Sequence, residues 1–246
     1  MPVAPKAFLG NAFVATDQPK LQLPGAPLPR MAPELALQVY QQRTTEQAER
    51  LATYSDHTFI SAELPDTSQK GEYELVRSYN ARPRQLIYQS VKFTGDSFVK
   101  TNVITRFLQS EVDHVEKGDP STSAINDKNY KFSYKGTEEL NGRQVHVFQI
   151  KPRRKSPGLF KGRIYVDAYT GTLRRAEGTV AKSPSFWVRK IEFVQDFDDI
   201  GGFTLPVFMR STAKARIIGK AIVNVFHRGY DLKAEPATSA MVVGSN

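Results

Sequence analysis

The chain has 246 residues, no cysteine and a formal net charge of +9, and 40% of its residues are hydrophobic. This length and hydrophobic fraction suit one large β-rich domain or two small ones. The lack of cysteine excludes disulfides, thiolate zinc sites and thiol catalysis, and no apolar run approaches the ~20 residues of a membrane-spanning helix.

Residues 1–32 are rich in proline, at positions 2, 5, 19, 24, 27 and 29. This composition predicts a poorly ordered leader rather than a packed element. The short apolar run near the start is interrupted by Asn11 and is too weak for a secretory signal. Two alternatives therefore stay open: a cytosolic protein, or a mature chain from which a signal peptide has been removed.

The segment from Pro33 to Tyr54 is predicted to form a helix, because apolar residues recur along it at spacings of three and four. Pro33 suits the first helical turn. The resulting stripe consists of Leu37, Tyr40, Thr44, Ala48 and Leu51. Such a stripe most simply packs on a sheet, but a helix that lines a ligand cavity has the same pattern.

From Asp56 onward, β-favouring runs are separated by Pro, Gly or Asp turns. Strands are predicted over residues 57–64, 71–80, 84–93 and 96–108, and together they form a meander. The polar residues 109–129 are predicted to form a long surface loop, with or without a short helix.

The segment from Gly142 to Tyr230 predicts a ladder of β-hairpins. Tight turns are predicted at Asn141-Gly142, Thr170-Gly171 and Gly201-Gly202. Pro206 inside its run indicates an edge position, a bulge or a strand end. Alternation of small apolar and polar residues in the last strand pair predicts a sheet with one covered face.

The excess of positive over negative charge lies in this ladder. Residues 1–141 carry 16 basic and 17 acidic side chains, whereas residues 142–220 carry 16 and 6. Such an excess attracts phosphate-bearing or acidic partners. The candidates for contact with anionic headgroups or a partner are Arg153, Arg154, Lys155 and Lys161. A solvated basic loop without a specific partner is the alternative.

Residues for covalent or metal chemistry are scarce. The four histidines, His57, His114, His146 and His227, do not show the HxH or HxxxH spacing of a metal site. The GxSxG, phosphate-loop and dinucleotide motifs are lacking, and so are the RNP, KH and helix-turn-helix patterns. No metal, no cofactor and no nucleic-acid partner are therefore predicted.

One acidic cluster, Asp196, Asp198 and Asp199, lies beside the Gly201-Gly202 turn. It could bind a cation or supply paired carboxylates to a hydrolase. Aspartates beside such a turn more often cap or solvate the loop, and that interpretation is favoured here.

Trp187, the only tryptophan, shares a predicted strand face with Ile191 and Phe193. Core packing is the simplest interpretation. The functional alternative is an apolar binding wall, because large aromatic side chains dominate such cavities. Leu37 and Tyr40 on the predicted helix complete the candidate wall.

Three segments carry a resemblance to a known family: YKFSYKGTEELNGRQVHVFQIKPRR (130–154), GRIYVDAYTGTLRRAEG (162–178) and DFDDIGGFTLPVFMRSTAKARIIGKAIVNVFHRGYDL (196–232). They resemble outer-membrane lipoprotein-sorting proteins, the LolA-like periplasmic carriers. The resemblance covers roughly residues 34–232, and its motifs are structural turns.

The resemblance implies a mainly β protein with few helices: a curved antiparallel sheet that forms an unclosed β-barrel, with its concave side covered by helices. The expected domains are a leader (1–32), a single LolA-like domain (33–232) and a tail (233–246). The implied function is a non-enzymatic periplasmic carrier that shields acyl chains of a lipid or an acylated lipoprotein and docks with proteins of the inner or outer membrane. The alternative is an envelope sensor or interaction module that uses the same groove for a protein segment.

Overall fold

A computed structural model describes residues 29–183, 188–216 and 218–235, apart from the side chain of Arg189. These residues form one antiparallel sheet of ten strands with helices packed against it. The strands are β1 (Leu51–Leu64), β2 (Gln69–Ala81), β3 (Arg84–Gly95), β4 (Tyr130–Leu140), β5 (Arg143–Pro152), β6 (Phe160–Asp167), β7 (Leu173–Val180), β8 (Val188–Ile200), β9 (Phe203–Ala215) and β10 (Gly219–Ala234). The helices are α1 (Pro33–Arg50), α2 (Ser97–Val99), which continues through a π-helical turn (Lys100–Ile104) into α3 (Thr105–Lys117), and α4 (Pro120–Ser123).

The sheet consists of two meanders joined through their outer strands. Its strand order is β3-β2-β1-β10-β9-β8-β7-β6-β5-β4. The meander β1–β3 and the meander β4–β10 each follow chain order, and β1 pairs with β10 to join them. Because β3 and β4 form the two edges, the sheet is not closed, as predicted.

The connection between β3 and β4 links the two edges of the sheet. Arg84 of β3 donates to the backbone oxygen of Gly118 at the end of α3. Farther along, Arg154 in the β5–β6 loop donates to the Thr122 oxygen at 3.2 Å. The segment from α2 to α4 therefore contacts the edge strand β3 and the loop that follows β5.

The prediction of a strand over residues 96–108 is wrong, since this segment is helical. Asp96 accepts a hydrogen bond from the backbone N–H two residues on and caps the first turn. Val99, Val103 and Leu108 then lie on one side of the helix and are buried against the sheet. The β-branched residues of this segment, such as Val99, Val103 and Ile104, favoured a strand, but tertiary packing overrides that preference.

Helix α1 and the helical segment from α2 to α3 pack on the same face of the sheet. Side chains point alternately to the two faces along each strand. The strand pairings, followed across the sheet with their bulges, place the strand residues of both core clusters on one face. We call this side the helix-covered face and the other side the bare face. Two core clusters lie on the helix-covered face. The α1 cluster is Ala36, Tyr40, Tyr130, Phe148, Ile150, Leu159, Phe160, Ile164, Val166, Leu173 and Ala176. The α3 cluster is Ile60, Ala62, Leu64, Leu75, Val99, Val103, Ile104, Leu108, Ala221, Val223 and Val225.

Helix α1 ends four residues before the predicted Tyr54. Residues 51–56 belong to β1 instead. The predicted stripe holds only in its first half: Tyr40 is buried, whereas Thr44 and Ala48 are exposed. The second half of the helix contacts the sheet through polar side chains. Contacts of this kind cannot be predicted from hydrophobic periodicity.

The predicted hairpin turns are confirmed. Asn141 and Gly142 have φ of 51° and 75°, as a type I′ turn requires. Pro206 lies at a register shift between β8 and β9, which is one of the predicted alternatives. At Gly171 a β-carbon would come 2.6 Å from a side-chain carbon of Val39, so the glycine lets α1 approach the β6–β7 turn closely.

The glycine pair of β6 and β7 marks another close approach. Gly162 faces Gly178, and a β-carbon at Gly162 would lie 1.8 Å from the Glu177 backbone oxygen. Any larger residue at Gly162 would have to displace backbone rather than a flexible side chain.

Candidate binding face of the sheet

The structure brings three residues of the predicted wall into one cluster. Leu37 and Tyr40 of α1 and Phe193 of β8 all pack in or against the α1 cluster. The Phe193 ring meets Phe160 edge to face at 5.0 Å between centroids. Ile191 lies two residues before Phe193 on the same strand and therefore on the same face.

The fifth residue of the predicted wall, Trp187, lies outside the described residues. Its contribution to the wall stays a prediction.

A strip of half-buried residues separates the two core clusters on the helix-covered face. Ile191 of β8 pairs with Ala213 of β9, and Ser211 lies beside Ala213 on the same face. The short side chains of Ser211 and Ala213 extend only a little way from the sheet in the strip between α1 and α3. This strip is continuous with Phe193, which pairs with Ser211.

Helix α1 buries little apolar surface. Of its 18 residues only Ala36 and Tyr40 are buried. Its second half is fixed by polar contacts: Arg43 pairs with Asp199 at 2.7 Å, and the side-chain amide of Gln47 donates to the Gly202 oxygen at 2.8 Å. Partly exposed contacts of this kind contribute little each, so the second half of α1 is held mainly by individually weak contacts.

A buried polar network lies on the same face where β1, β2 and β10 meet. Arg77 donates from Nε to Asp56 Oδ2 at 2.7 Å and from its terminal nitrogen to the Tyr230 hydroxyl at 2.8 Å. Asp56 Oδ1 accepts from the Thr58 hydroxyl at 2.8 Å and lies 3.0 Å from His227 Nδ1. The side chains of Asp56 and Arg77 are 0% and 6% exposed.

The network holds its charges in defined states. Burial alone would raise the pKa of Asp56, but the hydrogen bond to His227 and the charge of Arg77 outweigh it and hold that pKa below the usual value. Burial also lowers the pKa of His227, so the imidazole is neutral at pH 7. Burial raises the pKa of Tyr54 to about 12, and its neutral ring lies 5.1 Å from the Arg77 guanidinium.

This network was not predicted from the sequence. Every polar side chain in it has a partner within the protein, which favours a structural role in fixing the pairing of β1 with β2 and β10. The one local signal is that charged Arg77 occupies the same strand face as buried Leu75. A charge at such a position needs a buried counterion.

Each aspartate of the predicted acidic cluster forms an ion pair with an arginine. Asp196 forms a bidentate pair with Arg175, with one bond of 2.9 Å. Asp198 pairs with Arg174 at 2.7 Å, and Asp199 pairs with α1 as described above. Within the described residues, no group of three or more acidic or histidine side chains could hold a metal ion.

Two histidines in predicted strands, His146 and His227, are buried and hydrogen-bonded within the protein. His146 and His227 are 1% and 6% exposed, and His146 Nε2 lies 3.0 Å from the Met31 oxygen. His57 and His114 are exposed.

The basic residues singled out in the sequence fall on the β5–β6 loop and the start of β6. Arg153 donates to the Asp127 oxygen at 2.7 Å, and Arg154 binds the α4 segment as described above. Lys155 and Lys161 are exposed. Two of the four side chains therefore hold the connection between β3 and β4 in place.

Two shallow hollows lie away from the predicted wall. One, of about 410 Å³, is lined by Phe59 and Phe226 among others on the bare face. The other, of about 350 Å³, lies beside Tyr54 and Tyr79. None of the described helices is both long and apolar enough to cross a lipid bilayer.

Comparison with known proteins gives one family model and several solved structures. Residues 121–231 match a family of unknown function, DUF5686, and this span is less than half of the chain. No curated protein matches the sequence.

Three of the similar solved structures come from bacteria. A putative outer membrane lipoprotein-sorting protein domain from Vibrio parahaemolyticus is 13% identical, with 82% of this chain and 93% of that chain covered and a TM-score of 0.42. A LolA superfamily protein from Nitrosomonas europaea is 12% identical, with coverages of 81% and 94% and a TM-score of 0.39. A DUF1329 family protein from Desulfovibrio piger is 11% identical, with coverages of 84% and 94% and a TM-score of 0.42.

The family that the sequence resembles thus appears by name among the similar solved structures, and the resemblance is confirmed as a likeness.

Proposed function

We propose that the protein is a non-enzymatic carrier of the bacterial periplasm that holds the acyl chains of a lipid or an acylated lipoprotein against the helix-covered face. The observation that carries this proposal is that the second half of α1 is held by individually weak polar contacts, beside the apolar residues of the α1 cluster. We also propose that this face is the concave side of the sheet, as the sequence resemblance implies.

Burial of an acyl chain and burial of the α1 side chains involve free energies of similar size. Freeing Tyr40 and Leu37 from the sheet costs about 1.5–3 kcal/mol for each side chain. An acyl chain of about twelve methylenes gains roughly 10 kcal/mol on burial, before the costs of association. The chain can therefore compete with the helix for the same apolar surface, and the low strip along Ser211 and Ala213 is the proposed place of entry.

The proposed contact residues for cargo are Leu37, Tyr40, Trp187, Ile191 and Phe193. The absence of a catalytic step is supported by the pairing of the aspartates next to the Gly201-Gly202 turn with arginines. A hydrolase that uses this cluster would need carboxylates free to meet a substrate.

The first experiment is native mass spectrometry of the purified protein, before and after organic extraction. An adduct of lipid mass that extraction removes would support the carrier and identify the class of cargo. A clean protein mass, together with no binding of a fluorescent fatty-acid probe, would contradict it and favour a groove for a protein segment.

A variant pair then tests the binding face. Phe193→Asp places a charge on the helix-covered face, and Val194→Asp places the same charge one residue later on the bare face. We expect Phe193→Asp to abolish binding of the fatty-acid probe and Val194→Asp to retain it. Equal affinities of the two folded variants would refute the assignment of the face.

A further inference from the structure

Lysines gather at one end of the bare face, the end where β4, β6, β8 and β10 begin. Lys131 of β4 lies directly opposite Lys151 of β5. Ile150 is paired with Gly162, so the next step of that register brings Lys161 of β6 beside Lys151. This gives a row of three lysines across three strands.

A second row lies one step nearer the same end of the sheet. Lys190 of β8 is paired with Lys214 of β9, which is paired with Lys220 of β10. All three are exposed. We call the two rows together the lysine surface.

Almost none of this charge is neutralised within the described residues. Among the described residues, only Lys190 of the six lysines forms an ion pair, with Glu192 at 2.6 Å. The charge of Lys214 also acts on the same carboxylate. The nearby carboxylate of Asp66 is bound to the backbone N–H of Lys220 at 3.0 Å. Like charges directly opposite each other destabilise a sheet, so an anionic partner would relieve repulsion that the protein itself leaves in place.

The shape and chemistry of the lysine surface indicate the class of partner. It crosses seven strands, from β4 to β10, and is therefore roughly 30 Å wide at about 4.8 Å per strand. A single phosphate cannot span that width. The described lysine rows contain no large apolar side chain that could anchor a protein partner. Exposed lysines act as adaptable point charges rather than as a preformed fork for one bidentate ligand.

We propose that the lysine surface docks the protein on an anionic membrane, through the headgroups of several acidic phospholipids. The inference rests on the proposed function only in its choice of a lipid surface, and the face involved is opposite to the one proposed for cargo. Docking by the bare face leaves the helix-covered face free to exchange an acyl chain.

The test measures binding of the full chain to sucrose-loaded vesicles by sedimentation. One set of vesicles is phosphatidylcholine alone and the other contains phosphatidylglycerol as well. We expect binding only to the vesicles with phosphatidylglycerol at low ionic strength. Most of it should be lost at about 0.5 M salt, where the screening length falls to roughly 4 Å.

The decisive variant is the triple replacement Lys151→Gln, Lys161→Gln and Lys214→Gln. Each lysine near an anionic surface contributes about a fivefold factor in partitioning, so the triple variant should bind roughly a hundredfold more weakly. Lys161→Gln alone should give about a fivefold loss, which keeps the test valid if the triple variant folds poorly.

The matched control removes the same charge elsewhere. Arg106→Gln, Lys117→Gln and Lys233→Gln alter exposed side chains on α3 and near the far end of β10. We expect this control to bind vesicles as the unmodified protein does. Equal losses in the two triple variants, or no binding of the unmodified protein, would overturn the proposal.

Two further measurements distinguish membrane docking from nucleic-acid binding and from the proposed carrier function. Tighter binding to duplex DNA than to vesicles at equal phosphate concentration would assign the surface to nucleic acid and overturn membrane docking. The lysine triple variant should still bind the fatty-acid probe. If the unmodified protein binds vesicles as described but no probe, the docking surface stands and the carrier function fails.

Discussion

Replacement of Arg77 by methionine tests the buried network of β1, β2 and β10. The change keeps much of the side-chain volume but leaves the Asp56 carboxylate without its cation. Because Asp56 is 0% exposed and Arg77 6% exposed, solvent cannot take the place of the guanidinium. Removal of one partner from a buried ion pair costs about 3–5 kcal/mol. For a chain of this size, that predicts a Tm lower by roughly 6–20 °C at pH 7.

The pH dependence has a defined sign. In the unmodified protein the pKa of Asp56 is lowered, so its contribution to stability is present above the usual carboxyl pKa of about 3.9 and is lost as pH falls through the folded-state value. Without Arg77 the buried carboxyl binds a proton more readily. The stability difference between the two proteins should therefore shrink as pH falls from 7 towards 4.

The assay is urea unfolding followed by circular dichroism at several pH values. Arg163→Met is the matched control, because Arg163 pairs with Glu177 at 3.2 Å but is 47% exposed, and exposed pairs contribute at most about 1 kcal/mol. If Arg77→Met cost no more than this control at pH 7, or if its deficit grew towards pH 4, the account of the buried pair would be refuted.

Three other changes give distinct outcomes. His227→Gln should reduce the loss of stability below about pH 6.5, since the lowered pKa of His227 makes the folded state resist protonation there; an unchanged slope between pH 7 and 5 in urea unfolding would contradict this. Gly162→Ala should lower Tm strongly, because a β-carbon at that position meets backbone of the adjacent strand; a Tm within the error of the unmodified protein would show that the strands separate easily. Asp167→Asn should destabilise more than Asp198→Asn in thermal unfolding, because both contact Arg174 but their exposures are 3% and 57%; the reverse order would show that the exposed pair is the important one.

The hairpin ladder could be predicted because its turns depend on local chemistry. Glycine and asparagine tolerate positive φ, and Asn141, Gly142 and Gly201 occupy such positions in the structure. Where the wrong element was predicted, two patterns competed in the same residues. Leu51 fits both a helical stripe and a strand, and the β-branched residues after Asp96 fit a strand in composition but a helix in spacing.

The polar network could not be predicted, because its members are joined only by tertiary pairing. Asp56 and His227 lie 171 positions apart, and their contact depends on the register of β1 with β10. The lysine surface is similar: composition located the excess of charge, but only the strand registers show that Lys151, Lys161 and Lys214 share one face and one end of the sheet. For the wall, residue type predicted the apolar character, and the fold places Tyr40 in the α1 cluster and Phe193 against it.

The pairing of β1 with β10 also governs how the sheet can be assembled. β1 leaves the ribosome well before β10, and the edge of β1 that faces away from β2 has no partner until β10 has been made. Contacts between such distant segments slow folding, and an unpaired strand edge invites association with other chains. A nascent chain that has not yet reached Gly219 holds two separate meanders. The ten-stranded sheet can therefore be completed only after β10 has been synthesised.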